Sequence, residues 1–484
     1  MLYYRLNDKY ALRKYTNNIP MLVIYGKAQG RWQITENELM FLIRCDGVTP
    51  FDKESLSDEE KLYCEKYMHN GVISEIDVPN PIKTNRAYQQ FNHKRIALAN
   101  WTFTLRCNLN CLHCLNLTGS RTGEELEMPF EDAKIVIDRL AEYGVERVKI
   151  FGGEPLVYNR FLDIIRLIQE SGMEVDSIDT NGLLIKEDLL DEIEKIGAKP
   201  SFSISFDGLG THDWMRNKKG CEEPTIRAIK LCLDRGYKVT VSINVNRRTL
   251  PVVYDTVRFF KKMGCKHFKL LRTSETFRWQ ESEAAMGEKL TIPTKEFASM
   301  LPQMVENLIE DIRDGIVVTL FNEITIGPNA TAKSLMTEAL CEPESCTGWC
   351  PRAENGIFIG CEGHVVPCSG LEPLMQYHGL LTDRINILKN SLEDILYSDL
   401  YNEQFRITRK DIWDTSIECQ TCDKWNVCNG GICRLNALLS PQNIGRGIPL
   451  GKEYLSDKDY VYCFCQKEGY IDEVAQILEK NLHR

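Results

Sequence analysis

The sequence predicts an α/β protein whose central part is a partial, TIM-like (β/α)6 barrel. Three observations predict it. Apolar strand-like runs alternate with amphipathic helical patterns about six times between residues 96 and 271. Several helical patterns end in a glycine, Gly144, Gly197, Gly236 or Gly264, as helix C-termini do. The cysteines of residues 107–114 fall just after the first strand-like run, a placement that suits the site end of such a sheet, and the second cysteine cluster, 341–465, lies beyond the repeating region. Repeated β-α units with apolar strands require a parallel sheet covered by helices, and six units suit a partial barrel. At 484 residues the chain exceeds one core, so further domains are expected on either side.

Residues 1–85 read as a small α+β unit. "YALRKY", "PMLVIYG" and "RWQIT" are short strand patterns separated by turn residues. In "TENELMFLIRCDG", Thr35 can cap a helix, with Glu38 three residues later. In "LSDEEKLYCEKYMHNG", Ser57 precedes an acidic first turn and Gly71 ends the pattern. Residues 78–85 then read as a linker.

The barrel strands are expected at 96–106, 147–151, 174–179, 200–206, 238–245 and 267–271. Helical patterns fall between them at 129–143, 159–171, 186–196, 223–235 and 250–263. Ligands of such sheets sit at the C-terminal strand ends. Residues 272–335 are less regular, with one helical pattern near 294–314. A last helical pattern, "EGYIDEVAQILEKNL", closes the chain.

Composition narrows the function. A net charge of −10 argues against a sequence-independent nucleic-acid surface. No apolar run approaches the length of a membrane span, and the N-terminus lacks a signal-like apolar region, so a cytoplasmic protein is expected. The 19 cysteines form an odd and clustered set, which favours metal or iron–sulfur ligation over disulfides. Cys45, Cys64, Cys232 and Cys265 lie on core-like patterns and read as buried thiols. Cys221 reads as incidental, and Cys361 has no obvious place.

The first strand leads into "RCNLNCLHC", where Cys107, Cys111 and Cys114 follow a C-x3-C-x2-C spacing. Three thiolates can each hold one iron of a four-iron, four-sulfur cube, leaving the fourth iron open to a small bidentate molecule. The alternative is a zinc site completed by His113 or a distant thiol. The triplet resembles the signature of the radical S-adenosylmethionine (SAM) family. Three further elements extend the likeness: "FGGEP" with Gly152, Gly153, Glu154 and Pro155, "DTNG" with Thr180, Asn181 and Gly182, and "SISFDG" followed by "THDWMR". The resemblance implies that the first holds the SAM amino group and the second the ribose side. Ser205 and Arg216 would then hold the methionine carboxylate. Glycines would admit close backbone approach to that ligand. His113 stands where the family often has an aromatic ring. The implied reaction is reductive cleavage of SAM to a 5′-deoxyadenosyl radical that removes a substrate hydrogen.

Cys350, Cys368, Cys419, Cys422, Cys428, Cys433 and Cys463 resemble the SPASM domain, which carries two auxiliary four-iron clusters. One cluster would use Cys350, Cys368, Cys433 and either Cys346 or Cys341. The other would use Cys419, Cys422, Cys428 and Cys463, with Cys465 a rival for the last. "CNGGIC" is one residue longer than the family pattern, and a double zinc module is the alternative. The resemblance therefore implies SAM and three [4Fe-4S] clusters, one of them binding SAM.

The N-terminal unit resembles the RiPP recognition element, a winged-helix-like fold of PqqD type that binds leader peptides. The leader would meet about Arg31–Thr35 and Ser57–His69. The expected organisation is then 1–85 recognition element, 96–290 barrel, 291–335 connector and 336–484 SPASM. These likenesses together imply a peptide maturase with two partners, a precursor peptide and an electron donor such as flavodoxin or ferredoxin. Cross-linking, through a thioether or a carbon–carbon bond, is the favoured outcome. Epimerisation and formylglycine formation are alternatives; Ser369 after Cys368 counts against the latter. A non-catalytic leader-binding or electron-transfer protein is the alternative from another class.

Overall fold

The computed structural model describes residues 2–16, 19–25, 30–116, 127–320, 324–331, 356–372, 375, 381–405, 413–414, 417–423, 425 and 468–482. The expected ligands Cys346, Cys350, Cys428, Cys433 and Cys463, with Cys341 and Cys465, lie outside these residues.

The N-terminal unit contains β1 (Leu2–Leu6), β2 (Tyr10–Lys14), β3 (Pro20–Ile24), β4 (Gly30–Gln33), α1 (Glu36–Arg44), β5 (Asp46–Phe51), α2 (Asp58–His69) and β6 (Ile73–Ile76). The three expected strands are β2, β3 and β4, paired antiparallel. A further strand, β7 (Gln89–Gln90), adds parallel to β2, so this sheet uses residues beyond the expected linker. A second sheet has the order β5-β1-β6. Thr35 with Glu38 and Ser57 with Glu60 form complete capping boxes, which fix where α1 and α2 begin. Tyr4, Leu12, Leu22, Leu42, Tyr67 and Ile73 fill the small core between these elements.

This unit is anchored to the next. Arg86 Nη1 donates to the Gly172 carbonyl at 2.7 Å, and His93 stacks on Tyr143 with ring centroids 3.7 Å apart.

The barrel follows as β8 (Leu98–Thr102), α3 (Phe130–Glu142), β9 (Arg147–Phe151), α4 (Phe161–Glu170), β10 (Glu174–Thr180), α5 (Glu187–Ile196), β11 (Ser201–Ser205), α6 (His212–Met215), α7 (Glu222–Asp234), β12 (Val239–Val245), α8 (Val253–Lys262) and β13 (His267–Arg272). β8 to β13 pair in sequence order, all parallel. These are the six expected strands. Outward positions such as Ile150, Ile178, Ile204, Val241, Ile243 and Leu270 are buried under the helices. Each full burial contributes roughly 1.5–3 kcal/mol. Alternate positions, Lys149, Ser203, Ser242 and Asn244, face the other way and are polar. The strands therefore alternate, because helices cover only one face.

The sheet runs further than the sequence suggests. After α9 (Phe277–Met286), α10 (Thr294–Ser299) and α11 (Leu301–Arg313), β14 (Val317–Leu320) pairs parallel to β13, and β15 (Ile324–Ile326) turns back on it. The span expected to be a connector thus supplies helices and two strands of the same sheet. At the opposite edge, β16 (Gly356–Ile359) pairs parallel to β8 and carries β17 (Val365–Val366). The resulting order is β15-β14-β13-β12-β11-β10-β9-β8-β16-β17. The expected single helix near 294–314 is two, α10 and α11, meeting at Met300 with Pro302 in the first turn of the second.

The remaining described helices are α12 (Leu392–Tyr397), α13 (Asp399–Phe405), α14 (Ile417–Gln420) and α15 (Tyr470–Leu482). α15 packs along α11 with Ile471, Val474 and Leu478 buried, and Arg313 donates twice to the Asn481 carbonyl. Among the described residues no helix is long and apolar enough to cross a membrane. Cys45, Cys64, Cys232 and Cys265 are buried thiols, as expected.

Candidate functional site

The expected site residues gather at the C-terminal ends of successive strands. β8 stops at Thr102 because the chain then turns over the barrel mouth, and Thr104 bridges to Glu127 instead. Cys107, Cys111 and Cys114 follow on this loop. Gly152–Pro155 follow β9, Thr180 ends β10 with Asn181 and Gly182 after it, and Ser205 ends β11. Arg216 caps the end of α6.

The first two strand ends are held backbone to backbone. The N–H of Gly153 donates to the Thr104 carbonyl at 2.9 Å, and that of Glu154 to the Arg106 carbonyl at 2.8 Å. A Cβ on Gly153 would lie 2.3 Å from the Arg106 oxygen and 2.4 Å from the Leu105 oxygen. One on Gly152, at φ +158, would lie 2.5 Å from the Thr104 oxygen. The sequence pattern suits these glycines to close approach of a ligand. In the structure they admit the chain's own 104–106 backbone, which fixes the start of the cysteine loop.

Glu154 ties the second strand end to the third. It is fully buried and accepts from Thr180 Oγ1 at 2.8 Å, Asn181 N–H at 2.7 Å and Leu156 N–H at 3.2 Å. Burial pushes its carboxyl up to about 7, although these hydrogen bonds pull the other way. Asn181 continues the chain of contacts, its Nδ2 donating to Asn108 Oδ1 in the cysteine loop at 2.7 Å.

The fourth strand end carries a buried charged cluster. Asp207 is fully buried, with Oδ2 2.7 Å from Arg216 Nε and Oδ1 accepting from Asn244 N–H at 3.1 Å. Burial opposes ionisation of Asp207, but the Arg216 guanidinium against it offsets this and holds the carboxyl below the usual range. Arg216 Nη1 reaches Cys111 Sγ at 3.6 Å, and Nη2 has no hydrogen-bond partner. His113 bonds Asn244 Nδ2 through Nε2 at 3.1 Å, while its Nδ1 is buried without a partner. Burial lowers the His113 imidazole to about 4 and so keeps it neutral.

The outer side of the cysteine loop is clamped by residues that lie outside every sequence motif. Arg278 of α9 donates to the Cys111 carbonyl at 2.8 Å and also grips Asn110. Ser282 donates to the Leu112 carbonyl at 3.0 Å. A signal for α9 existed, since Thr276 caps it through the Trp279 N–H and Gly287 ends it. Cys221, at the start of α7, is buried and donates to Asp213 rather than facing the loop. Cys361 is buried against Leu105, two residues before Cys107.

Among the described residues no group of three or more His, Cys, Asp or Glu side chains is arranged to hold a single metal ion. A four-iron cube spreads its thiolates, one to each iron. The donor set suits such a group: three thiols come from one loop, with the Leu109 N–H 3.4 Å from Cys107 Sγ and Arg216 beside Cys111 Sγ. Burial holds the Cys107 thiol up at about 12 and raises that of Cys111, so iron binding must displace their protons.

Comparison with known proteins agrees. The radical SAM superfamily model matches residues 101–267, which run from the end of β8 to the start of β13 and include the whole cysteine loop. An iron–sulfur cluster-binding domain model, SPASM, matches residues 350–423. The chain carries a radical SAM domain followed by a SPASM domain. The Fe-coproporphyrin III synthase of Methanosarcina barkeri is 30% identical over 34% of this chain and 42% of its own. The subtilosin biosynthesis protein AlbA of Bacillus subtilis is 26% identical over 46% of this chain and 48% of its own. The chain thus spans about half the length of these curated relatives. The structure of Streptococcus suis SuiB bound to its precursor peptide SuiA matches in fold, with TM-score 0.61, 15% identity, 94% of this chain and 99% of that one.

In this SPASM region, Cys368 follows β17 and is half-buried. Cys419 lies in α14 and Cys422 just after it, the Cys422 N–H donating to the Cys419 carbonyl at 3.2 Å.

Two outcomes follow. Gly153→Ala should lower thermal stability by about 1–3 kcal/mol through overpacking against the 104–106 backbone, and should reduce iron uptake on reconstitution. Asp207 N–H donates to His212 Nδ1 at 3.1 Å, and burial lowers this imidazole to about 3 against an ordinary 6.5. The unfolded chain therefore binds the proton first, and stability falls as pH drops below 6.5. At pH 5 this group costs about 2 kcal/mol, and His212→Gln should flatten that part of the melting-temperature profile.

Proposed function

We propose that the protein is a peptide maturase that binds the leader of a ribosomally made precursor and forms an intrapeptide cross-link, thioether or carbon–carbon. The observation that carries the radical SAM part is the tied set of strand ends around Cys107, Cys111 and Cys114. Those thiols would hold three irons. When bound, the cluster and SAM supply a carbon radical able to remove a hydrogen atom from the substrate.

The chain's own residues orient and enclose that chemistry. Gly152–Pro155 would face the SAM amino group, and Thr180, Asn181 and Gly182 the ribose side. Glu154 braces both loops, so neither strand end can shift independently. Ser205 would meet the methionine carboxylate together with the unpartnered Nη2 of Arg216. The polar inner face, with Lys149 paired to Asp179 at 3.0 Å, would line the route for the attacked residue. Two auxiliary clusters, with Cys368, Cys419 and Cys422 among their ligands, would take up the surplus electron. A small reductant protein such as flavodoxin or ferredoxin would supply the first.

Support for a peptide substrate comes from the N-terminal unit. β4 lies at the end of its sheet, with Trp32 42% exposed, and Leu62 on α2 is 67% exposed. An extended leader could add to that edge and set side chains against the helix. SuiB, which shares the fold over nearly the whole chain, is a protein seen with its precursor peptide bound.

Co-expression with a short precursor followed by mass spectrometry tests the bond type. Loss of two hydrogens is expected, whereas unchanged mass with deuterium uptake points to epimerisation. Cys111→Ala should abolish 5′-deoxyadenosine production by the reduced, iron-loaded protein. Trp32→Glu should weaken precursor binding at least tenfold while leaving SAM cleavage without peptide unchanged; equal affinity would remove the leader site.

A further inference from the structure

Arg216 has more to do than a single ligand contact requires. Its guanidinium is buried between two partners on opposite sides. Nε faces Asp207 Oδ2 at 2.7 Å, and Nη1 lies 3.6 Å from Cys111 Sγ. Asp207 is itself fixed, because its Oδ1 accepts from the backbone of β12 at Asn244. The backbone of the same helix that carries Arg216 is also tied to the cysteine loop, with Leu112 N–H donating to the Met215 carbonyl at 3.0 Å. The guanidinium therefore cannot swing away from the sulfur without leaving a buried carboxylate unpaired.

We propose that Arg216, gripped by Asp207, donates a charge-assisted hydrogen bond to the Cys111 sulfur and thereby raises the reduction potential of the cluster held there. This rests on the reading of Cys107, Cys111 and Cys114 as cluster ligands. The physical reason is direct. Reduction adds an electron whose charge spreads onto the sulfurs, and N–H donors to sulfur favour the more negative state. The ion pair does not cancel this effect, because its positive end lies toward the sulfur and its negative end away from it. The neighbouring imidazoles are engaged elsewhere: His113 Nε2 meets Asn244 Nδ2, and His212 Nδ1 accepts the Asp207 N–H. Leu109 N–H provides the corresponding donor at Cys107, but it is backbone and serves whatever side chain is present. Arg216 is thus the adjustable element. It is a positioning and tuning residue for the sulfur, separate from any contact its Nη2 makes with a ligand.

The test is an EPR-monitored redox titration of the reconstituted full chain without SAM. The cluster's signal is assigned by its disappearance in Cys111→Ala. The main variant is the double Asp207→Asn/Arg216→Met, which strands no buried charge. It should lower the midpoint, with the reduced-to-oxidised ratio at a fixed potential falling at least tenfold, about 59 mV for one electron. Arg216→Lys, which keeps the charge but loses the fork, should fall between this and the unaltered protein. An unchanged midpoint at equal iron content overturns the proposal. If the double variant takes up no iron, Arg216→Lys decides alone: a lowered midpoint supports the tuning role, and an unchanged one rejects it. Should the unaltered chain show no signal dependent on Cys111, the cluster reading itself fails, which is a different result.

Discussion

The close contact between two strand ends, Gly152–Gly153 against the backbone of residues 104–106, is the constraint on which the site depends. The two backbones can lie this near only because Gly152 and Gly153 carry no Cβ on the side facing residues 104–106. The contact lets the Gly153 and Glu154 N–H groups satisfy the Thr104 and Arg106 carbonyls, which would otherwise be stranded in the bend after β8. With that bend fixed, the cysteine loop can leave the barrel in one direction only. Glu154 then passes the constraint sideways to Thr180 and Asn181, and Asn181 returns it to Asn108. A closed circuit of hydrogen bonds joins the three strand ends, and its centre, Glu154 with Thr180 and Asn181, is buried. That centre is expected to be stiff, since breaking its links leaves a buried polar group unpaired.

The outer and inner faces of the sheet divide the remaining work. The outer face is apolar and stabilises the fold through burial under the helices. The inner face is left polar and is not needed for that burial. This division lets a strand end carry Ser205 or Asn244 without weakening the core that begins one residue away at Ile204 and Ile243. The buried charges at the fourth strand end follow the same logic. Asp207 is tolerable only because Arg216 lies against it, and that pairing in turn sets the guanidinium beside Cys111.

Local features of the fold were legible in the sequence, and distant ones were not. The six barrel strands, the capping boxes at Thr35 and Ser57, and the triplet Cys107, Cys111 and Cys114 depend on residues close in the chain. Their periodicity and spacing therefore carry the information. β14 and β16 were missed because each is a four-residue strand whose place depends on a partner far away in sequence. Arg278 was missed for a related reason. Its carbonyl partner at Cys111 is 167 residues distant, and nothing local marks an arginine as a loop clamp. The role of the two glycines was half legible: the need for close approach was clear, but the packing of the chain's own 104–106 backbone against them was not.

The cysteine loop is expected to hold a cluster with one iron open to SAM. Electron–nuclear double resonance on the reduced, iron-loaded chain, with SAM labelled at the methionine nitrogen or carboxylate oxygens, tests it most directly. A coupling between the label and the cluster electron spin is expected, and it should be absent from Cys111→Ala. An iron-loaded protein that shows no such coupling would contradict that expectation.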